Sequence, residues 1–338
     1  MGGAPDVADT GRVLLRILFL LCTSALMTAR AEDYTYFLTG NAGDARPAGT
    51  EGALLLMGGG GDVDEAFRWF VRKAGGGDIV VLRASGGDGY NDYLFSRIGG
   101  VDSVETILFN NGNAATDPRV LAIIRAAEGI WLAGGDQARY VRYWKGTPVA
   151  AALNAHVRAG KPLGGTSAGL AVLGEFSFSA TGEGSLTSAI ALANPFEPRI
   201  TLENDFLHFD LLRGVITDSH FTPRARMGRS LVFLARLLAG RQSGARLVGI
   251  GVDEKTALAV EADGSSRVFT TAPQGRVWLL LPTRPAESLV PDQPLTLRDV
   301  DVLALGPESR VQLPIRAVEQ PAKAGVASVI KGQLSFPP

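Results

Sequence analysis

The chain has 338 residues, 46% of them hydrophobic and 20% charged, with a formal net charge of -1. This balance suits one large globular domain or two ordinary ones, and excludes a disordered chain or one that grips nucleic acid by general charge. The sole cysteine, Cys22, excludes a disulfide framework, a four-thiolate zinc site and an iron-sulfur cluster.

Residues 1–31 read as an export signal. Arg12 and Arg16 precede an apolar run from Ile17 to Met27, and Ala29-Arg30-Ala31 supplies the small-x-small cleavage pattern. The run is too short for a membrane span, so the expectation is removal, a chain beginning at Glu32, no stable membrane span, and a destination in the periplasm or outside the cell. After a polar opening segment, short apolar runs alternate with amphipathic stretches. Ala53–Met57, Asp78–Arg83, Val104–Phe109, Gly129–Ala133 and Pro162–Thr166 read as strands, with helices between them. Near-continuous apolar strands separated by helices predict an α/β domain with a doubly wound, mostly parallel sheet. From Leu247 short antiparallel strands replace this pattern, and prolines punctuate the final stretch. The expected division is a signal over 1–31, an α/β domain over 32–285 and a C-terminal β-rich extension over 286–338.

Glycine punctuates the ends of several strands. Gly58-Gly59-Gly60-Gly61 occupies the strand-to-helix position that holds phosphates in nucleotide folds, but it lacks the Gly-Lys-Ser/Thr ending and the dinucleotide spacing. Tight turns with close backbone approach are the alternative. Gly134-Gly135-Asp136-Gln137 sits similarly, with amides able to face an anion or oxyanion.

Gly165-Thr166-Ser167-Ala168-Gly169 matches Gly-x-Ser-x-Gly between a strand and a helix, the sharp turn that presents a serine nucleophile. A serine hydroxyl needs a base, and the chain has three histidines. His156 reads as a surface residue of a helix and His208 as a structural or rim histidine. His220, in Asp218-Ser219-His220-Phe221, ends a strand as a base should. An acid must orient it; Glu254, Glu183 and Asp218 compete, and spacing does not choose. Arg224, Arg226 and Arg229 follow His220 and could cradle a carboxylate-rich ligand.

Taken together, Gly-Gly-Asp-Gln at 134–137, Gly-Thr-Ser-Ala-Gly at 165–169, Asp-x-His-Phe at 218–221 with its arginines, and Gly-Val-Asp-Glu at 251–254 resemble the cyanophycinase and aspartyl dipeptidase family of serine peptidases. The resemblance implies a class I glutamine-amidotransferase-like fold with serine in place of cysteine at the elbow. It implies Ser167 as nucleophile, His220 as base and Glu254 as orienting acid, with Glu183 second choice. Gly135 and Ala168 would supply oxyanion amides, and Gln137, Asp218, Arg224, Arg226 and Arg229 the substrate pocket. The substrate would be a peptide or cyanophycin, a polyaspartate carrying arginine through isopeptide links and cut to β-Asp-Arg dipeptides. No metal or organic cofactor and no nucleic acid partner are expected, and a homodimer is common in the family. This chain has Ser219 where cyanophycinases often have Gln. The rival readings are an exported protein that binds an acidic peptide without turnover, and nucleotide binding at the Gly58 loop.

Overall fold

The computed structural model describes residues 32–240, 246–315 and 318–336, so the export signal lies outside the described residues. The first strand is one the polarity of the opening segment conceals: β1 (Tyr34–Gly40) carries the aromatic and β-branched run YTYFLT, and Tyr36 donates to Glu105 at 2.6 Å. The apolar run β2 (Ala53–Met57) leads to helix α1 (Asp64–Lys73), then β3 (Asp78–Arg83). A short helix, α2 (Gly89–Asp92), continues as a π-helical turn over Tyr93–Ile98, where sequence predicts one helix; the turn brings Tyr90 and Tyr93 onto Phe67 of α1. Then come β4 (Ser103–Phe109), α3 (Pro118–Ala126), β5 (Gly129–Leu132), α4 (Gln137–Trp144), α5 (Pro148–Arg158) and β6 (Leu163–Thr166). Asp117 and Asp136 cap α3 and α4 by accepting from their first free amides.

After the one-turn helix α6 (Ala168–Ala171) the chain forms β7 (Ser177–Phe178), α7 (Ser188–Ala193), β8 (Leu202–Glu203), β9 (Val215–Asp218) and α8 (Met227–Gly240). It continues as β10 (Val248–Val252), β11 (Thr256–Glu261), β12 (Ser265–Thr270), β13 (Val277–Pro282), β14 (Leu297–Leu305), β15 (Arg310–Gln312), β16 (Val318–Glu319), β17 (Lys323–Ile330) and β18 (Gln333–Ser335).

Two large sheets result. The ten-stranded one runs β1-β4-β3-β5-β6-β2-β11-β12-β15-β16. Its centre, β4 to β2, is parallel, and antiparallel strands extend it on both sides. The six-stranded one runs β18-β17-β14-β13-β10-β9. Sequence predicts antiparallel pairing from residue 247 onward, yet β10 lies parallel to β9. The reason is the crossover through α8, since a helical connection returns the chain in the same direction.

Alternation along the strands sets the layers. Leu55, Met57 and Trp131 face α1 with Phe67 and Phe70, while Leu54, Leu56, Leu132 and Leu163 share a buried core with Ile250, Val252 and Leu279 of the second sheet. The outer face of that second sheet packs on α7 and α8 through Phe178, Phe221, Phe233, Leu280 and Val302. The parallel strands therefore end at an edge flanked by α1 on one face and the second sheet on the other. Among the described residues, no helix is long and apolar enough to cross a membrane.

Candidate active site

The strand β6 ends in a bend that only a crowded neighbourhood can hold. Ser167 has φ 53° and ψ -112°, an unfavourable conformation for a residue with a side chain. Its amide donates to the Met57 carbonyl at 3.1 Å, tying the bend to β2. The flanking glycines permit the bend: a Cβ on Gly165 would lie 2.7 Å from the Gly169 backbone, and one on Gly169 only 2.0 Å from the Leu132 carbonyl oxygen. Ser167 is thereby left half-buried at the carboxyl edge, with Ala168 opening α6.

His220 follows β9 and is also held at positive φ, 44°. Its amide donates to the Gly58 carbonyl at 2.9 Å, and the next two amides reach the Val252 carbonyl at 3.2 Å and Asp253 Oδ1 at 2.8 Å. The imidazole Nε2 lies 2.8 Å from Ser167 Oγ, and Nδ1 lies 2.6 Å from Glu254 Oε1. With Nδ1–H donating to the carboxylate, Nε2 is left with a lone pair facing the hydroxyl. Burial is the largest influence on the imidazole and lowers its pKa; the hydrogen bond to Glu254 opposes this, and the charges of Arg224 and Arg226 add to the lowering. His220 is thus biased toward its neutral form.

Of the three carboxylates that compete for the orienting role, Glu254 occupies the Nδ1 position. Glu183 is exposed on the loop between β7 and α7. The competing Asp218 is buried and engaged elsewhere. Arg229 binds it through Nε at 2.8 Å and Nη2 at 2.6 Å, Arg226 at 3.1 Å, and the Ser230 hydroxyl at 3.2 Å. Burial alone would raise the Asp218 pKa, but the two guanidiniums hold it below the ordinary value.

This corrects the expected three-arginine cradle. Arg229 is buried against Asp218, the Leu186 carbonyl and the rings of Phe178 and Phe233, so its guanidinium is consumed inside the protein. Arg226 is half-buried, with Nη1 shared among Asp218, the Ser219 carbonyl and the Ser219 hydroxyl. Arg224 is exposed and forms no ion pair among the described residues. The sequence shows the charges; it does not show the buried carboxylate that takes up two of them. Gln137 opens α4 half-buried, without a side-chain hydrogen bond among the described residues. Gly134 sits against Ser167, where a Cβ would come 3.4 Å from the serine Cβ, while one on Gly135 would come 2.6 Å from Ser85 Oγ.

Two groups essential to this geometry are visible in the sequence but carry no site role there. The Gly58 loop continues the β2–β11 ladder: Gly58 donates to the Thr256 carbonyl at 2.9 Å and accepts from His220, while Gly59 accepts from Lys255 at 2.8 Å. A Cβ on Gly59 would lie 2.7 Å from the His220 ring and 3.1 Å from Ser167 Cβ, and one on Gly60 2.5 Å from the Glu254 carboxyl carbon. The loop is the floor of the site, closer to the tight-turn alternative than to a phosphate cradle. Asp253 is the second. Buried, it takes amides of Thr222 and Arg276 and the Trp278 indole N–H, fixing the turn that carries Glu254 against the loop that carries His220. Its place beside Glu254 in Gly-Val-Asp-Glu is the one signal available in the sequence. Among the described residues, no group of three or more histidine, cysteine or acidic side chains could hold a metal ion.

A serine, an imidazole and a carboxylate in hydrogen-bonded series beneath a strained bend are the parts of a serine hydrolase. Comparison with known proteins gives the class. The model of peptidase family S51 matches residues 107–268. A cyanophycinase from Trichormus variabilis is 29% identical over 287 residues, covering 80% of this chain and 89% of that protein. One from Synechococcus elongatus is 32% identical over 234 residues, 66% of each chain. In fold, a peptidase from an acI-B1 Actinobacterium superposes with a TM-score of 0.52 at 15% identity, over 79% of this chain and 98% of that one. The protein is a serine-type peptidase. It belongs to peptidase family S51, the family of the cyanophycinases.

Proposed function

We propose that the protein is an exported peptidase that hydrolyses peptide or isopeptide bonds at aspartyl units, releasing β-Asp-Arg dipeptides from cyanophycin through Ser167, His220 and Glu254. The observation that carries this reading is the series Ser167 Oγ, His220 and Glu254, with contacts of 2.8 and 2.6 Å. His220 Nε2 takes the hydroxyl proton as Ser167 Oγ attacks the scissile carbonyl carbon. The resulting oxyanion is met by the amides of Ala168 and Gly135, the first of which opens a helix and so has no partner four residues back. The C–N bond breaks, the amine leaves with the proton from His220, and an acyl-serine remains. Water then gives a proton to His220, attacks the ester and frees the acid, while the proton returns to Ser167. Glu254 stabilises the imidazolium in both halves. Arg224, exposed beside the site, suits a substrate carboxylate. The strand-elbow-helix at β6, with a base supplied from a later strand, also favours the glutamine-amidotransferase-like assignment.

The test is release of β-Asp-Arg from cyanophycin by the wild type and by Ser167→Ala. Equal release by both removes the nucleophile; release by neither, with serine-directed labelling intact, moves the substrate to another aspartyl peptide. Export rests on the pattern of residues 1–31, and a protein retained inside the cell with residues 1–31 intact would refute it, whereas a secreted protein whose first residue is not Glu32 would move only the cleavage site.

A further inference from the structure

A cavity of about 300 Å³ opens at the same carboxyl edge and is lined by Asp62, Arg83, Gly89, Tyr90 and Tyr93. The path of the chain places it on the Ser167 side of the sheet, at the ends of β2 and β3. Asp62 stands three residues beyond Gly59, where a side chain would collide with Ser167 and His220. Arg83 ends β3, and Ser85, two residues on, touches Gly135. The cavity lies on the face of the first sheet covered by α1 and α2, whereas Arg224 and Arg226 follow a strand of the second sheet, on the opposite face.

Its charges find no partner of opposite sign among the described residues. Asp62 accepts from Tyr90 Oη at 2.9 Å, and burial raises its pKa, with the Asp64 charge adding. Among the described residues it forms no ion pair. Arg97, whose charge acts on Asp62, is taken by Asp64 at 3.0 Å, and Asp64 also receives the Tyr93 hydroxyl. Arg83 is braced on carbonyl oxygens, Nε on that of Ser85 at 2.6 Å and Nη1 on that of Gly87, and likewise forms no ion pair among the described residues. Opposite charges that share a cavity without meeting leave room between them. A partly desolvated carboxylate is costly without a cation, and tyrosine rings beside it favour one.

We infer that this cavity is a subsite for a zwitterionic amino-acid unit of the substrate, its cationic nitrogen against Asp62 and the tyrosine rings and its carboxylate against Arg83. The inference rests on the peptidase reading and extends it to the chemistry flanking the scissile bond. The cation could be a side-chain guanidinium or an α-ammonium, and the ligands below separate the two.

The test is calorimetric titration of the Ser167→Ala protein with L-arginine, Nα-acetyl-L-arginine, L-citrulline and agmatine. L-Arginine is expected to bind, and agmatine, which lacks the carboxylate, to bind at least about tenfold more weakly. A similar loss with citrulline assigns the guanidinium to Asp62, and a similar loss with the acetylated ligand assigns the ammonium. Asp62→Asn should weaken arginine by about tenfold or more. No saturable arginine binding, four ligands bound alike, or full affinity in Asp62→Asn would overturn the subsite; the ligand series alone decides if that variant does not fold. Failure of the peptidase reading registers separately, as fluorophosphonate labelling of the wild type that Ser167→Ala does not abolish.

Discussion

His220 must be neutral to accept a proton from Ser167, and its surroundings work toward that state. Burial lowers its pKa most, the Glu254 carboxylate resists, and the guanidiniums of Arg224 and Arg226 add to the lowering. The acid limb of Ser167 labelling by a fluorophosphonate, which follows the neutral imidazole, is therefore expected below the ordinary histidine value of 6.5. Removing one positive charge with Arg224→Gln should move that limb to higher pH, because the charged imidazole then meets less repulsion. An unmoved limb, or one moved to lower pH, would contradict this account of the electrostatics. Ser167 and His220 could be named as a pair from sequence because the chain offers one Gly-x-Ser-x-Gly elbow and three histidines. Spacing could not choose between Glu254 and Glu183, which only the family resemblance ranked: both are acidic residues far along the chain from His220, and the turn at Asp253 brings one of them to Nδ1. The arginines mislead for a related reason. A charge is visible in a sequence, whereas the buried Asp218 that claims Arg229 is a tertiary fact.

At the scale of elements, the site depends on how closely three segments approach: the Gly58 loop, the β6 bend and the turn at Glu254. Gly59 is where all demands coincide, with φ +87° and no space for a methyl group between Ser167 and His220. Gly59→Ala should cost labelling and hydrolysis by two orders of magnitude or more through displacement of the imidazole, on the order of the loss when a catalytic group is misplaced by 1 Å. The checks are labelling rate and melting temperature; an active, labelled Gly59→Ala protein would show that the loop is not the floor of the site. A different constraint holds the approach to β6. His156 on α5 is buried rather than at the surface as its sequence suggests, and as the neutral tautomer its Nε2 donates to the Pro162 carbonyl at 3.0 Å, one residue before the strand begins. Burial lowers its pKa to about 4, with Lys161 assisting and the Pro162 bond opposing. The sign follows. The unfolded chain takes up the proton near 6.5, the folded one only near 4, so this contribution to stability is intact above 6.5 and is lost as pH falls toward 4. The full loss is on the order of 3 kcal/mol. Melting curves at pH 7 and pH 4.5 should show a smaller pH-dependent drop in His156→Gln than in the wild type; equal drops would assign the acid sensitivity elsewhere. The strand and helix alternation from β2 to β6 is legible in the sequence because apolar runs buried on both faces differ from amphipathic helices. The edge strand β1 is not, since its residues are only half-buried and the apolar signal fades.

At the scale of the whole molecule, the site lies where two sheets meet. Ser167 comes from the ten-stranded sheet and His220 from the six-stranded one, while Glu254 sits on the link that leaves β10 in one sheet and enters β11 in the other. Their shared core joins Leu54 and Leu56 to Ile250, Val252 and Leu279. The change to strand-rich grammar after residue 247 is readable from spacing. Which sheet each strand joins is not, because pairing partners lie far away in sequence and every short alternating run looks alike. This bears on residues 286–338. They place β14, β17 and β18 beside β13 and send β15 and β16 back to β12. Leu297, Val300, Val302, Leu305, Val311 and Val329 are buried. Ending the chain after Pro285 would leave β13 as an open edge, with Leu279, Leu280 and Leu281 deprived of their neighbours, next to the strands that position His220 and Glu254. An exposed apolar edge of this kind templates aggregation. The truncated protein is expected to be insoluble, or soluble without a cooperative melting transition and without Ser167 labelling. A monomeric truncation that melts cooperatively and labels at the wild-type rate would show that the C-terminal strands are an accessory layer and that the first sheet and β9–β13 suffice to hold the site.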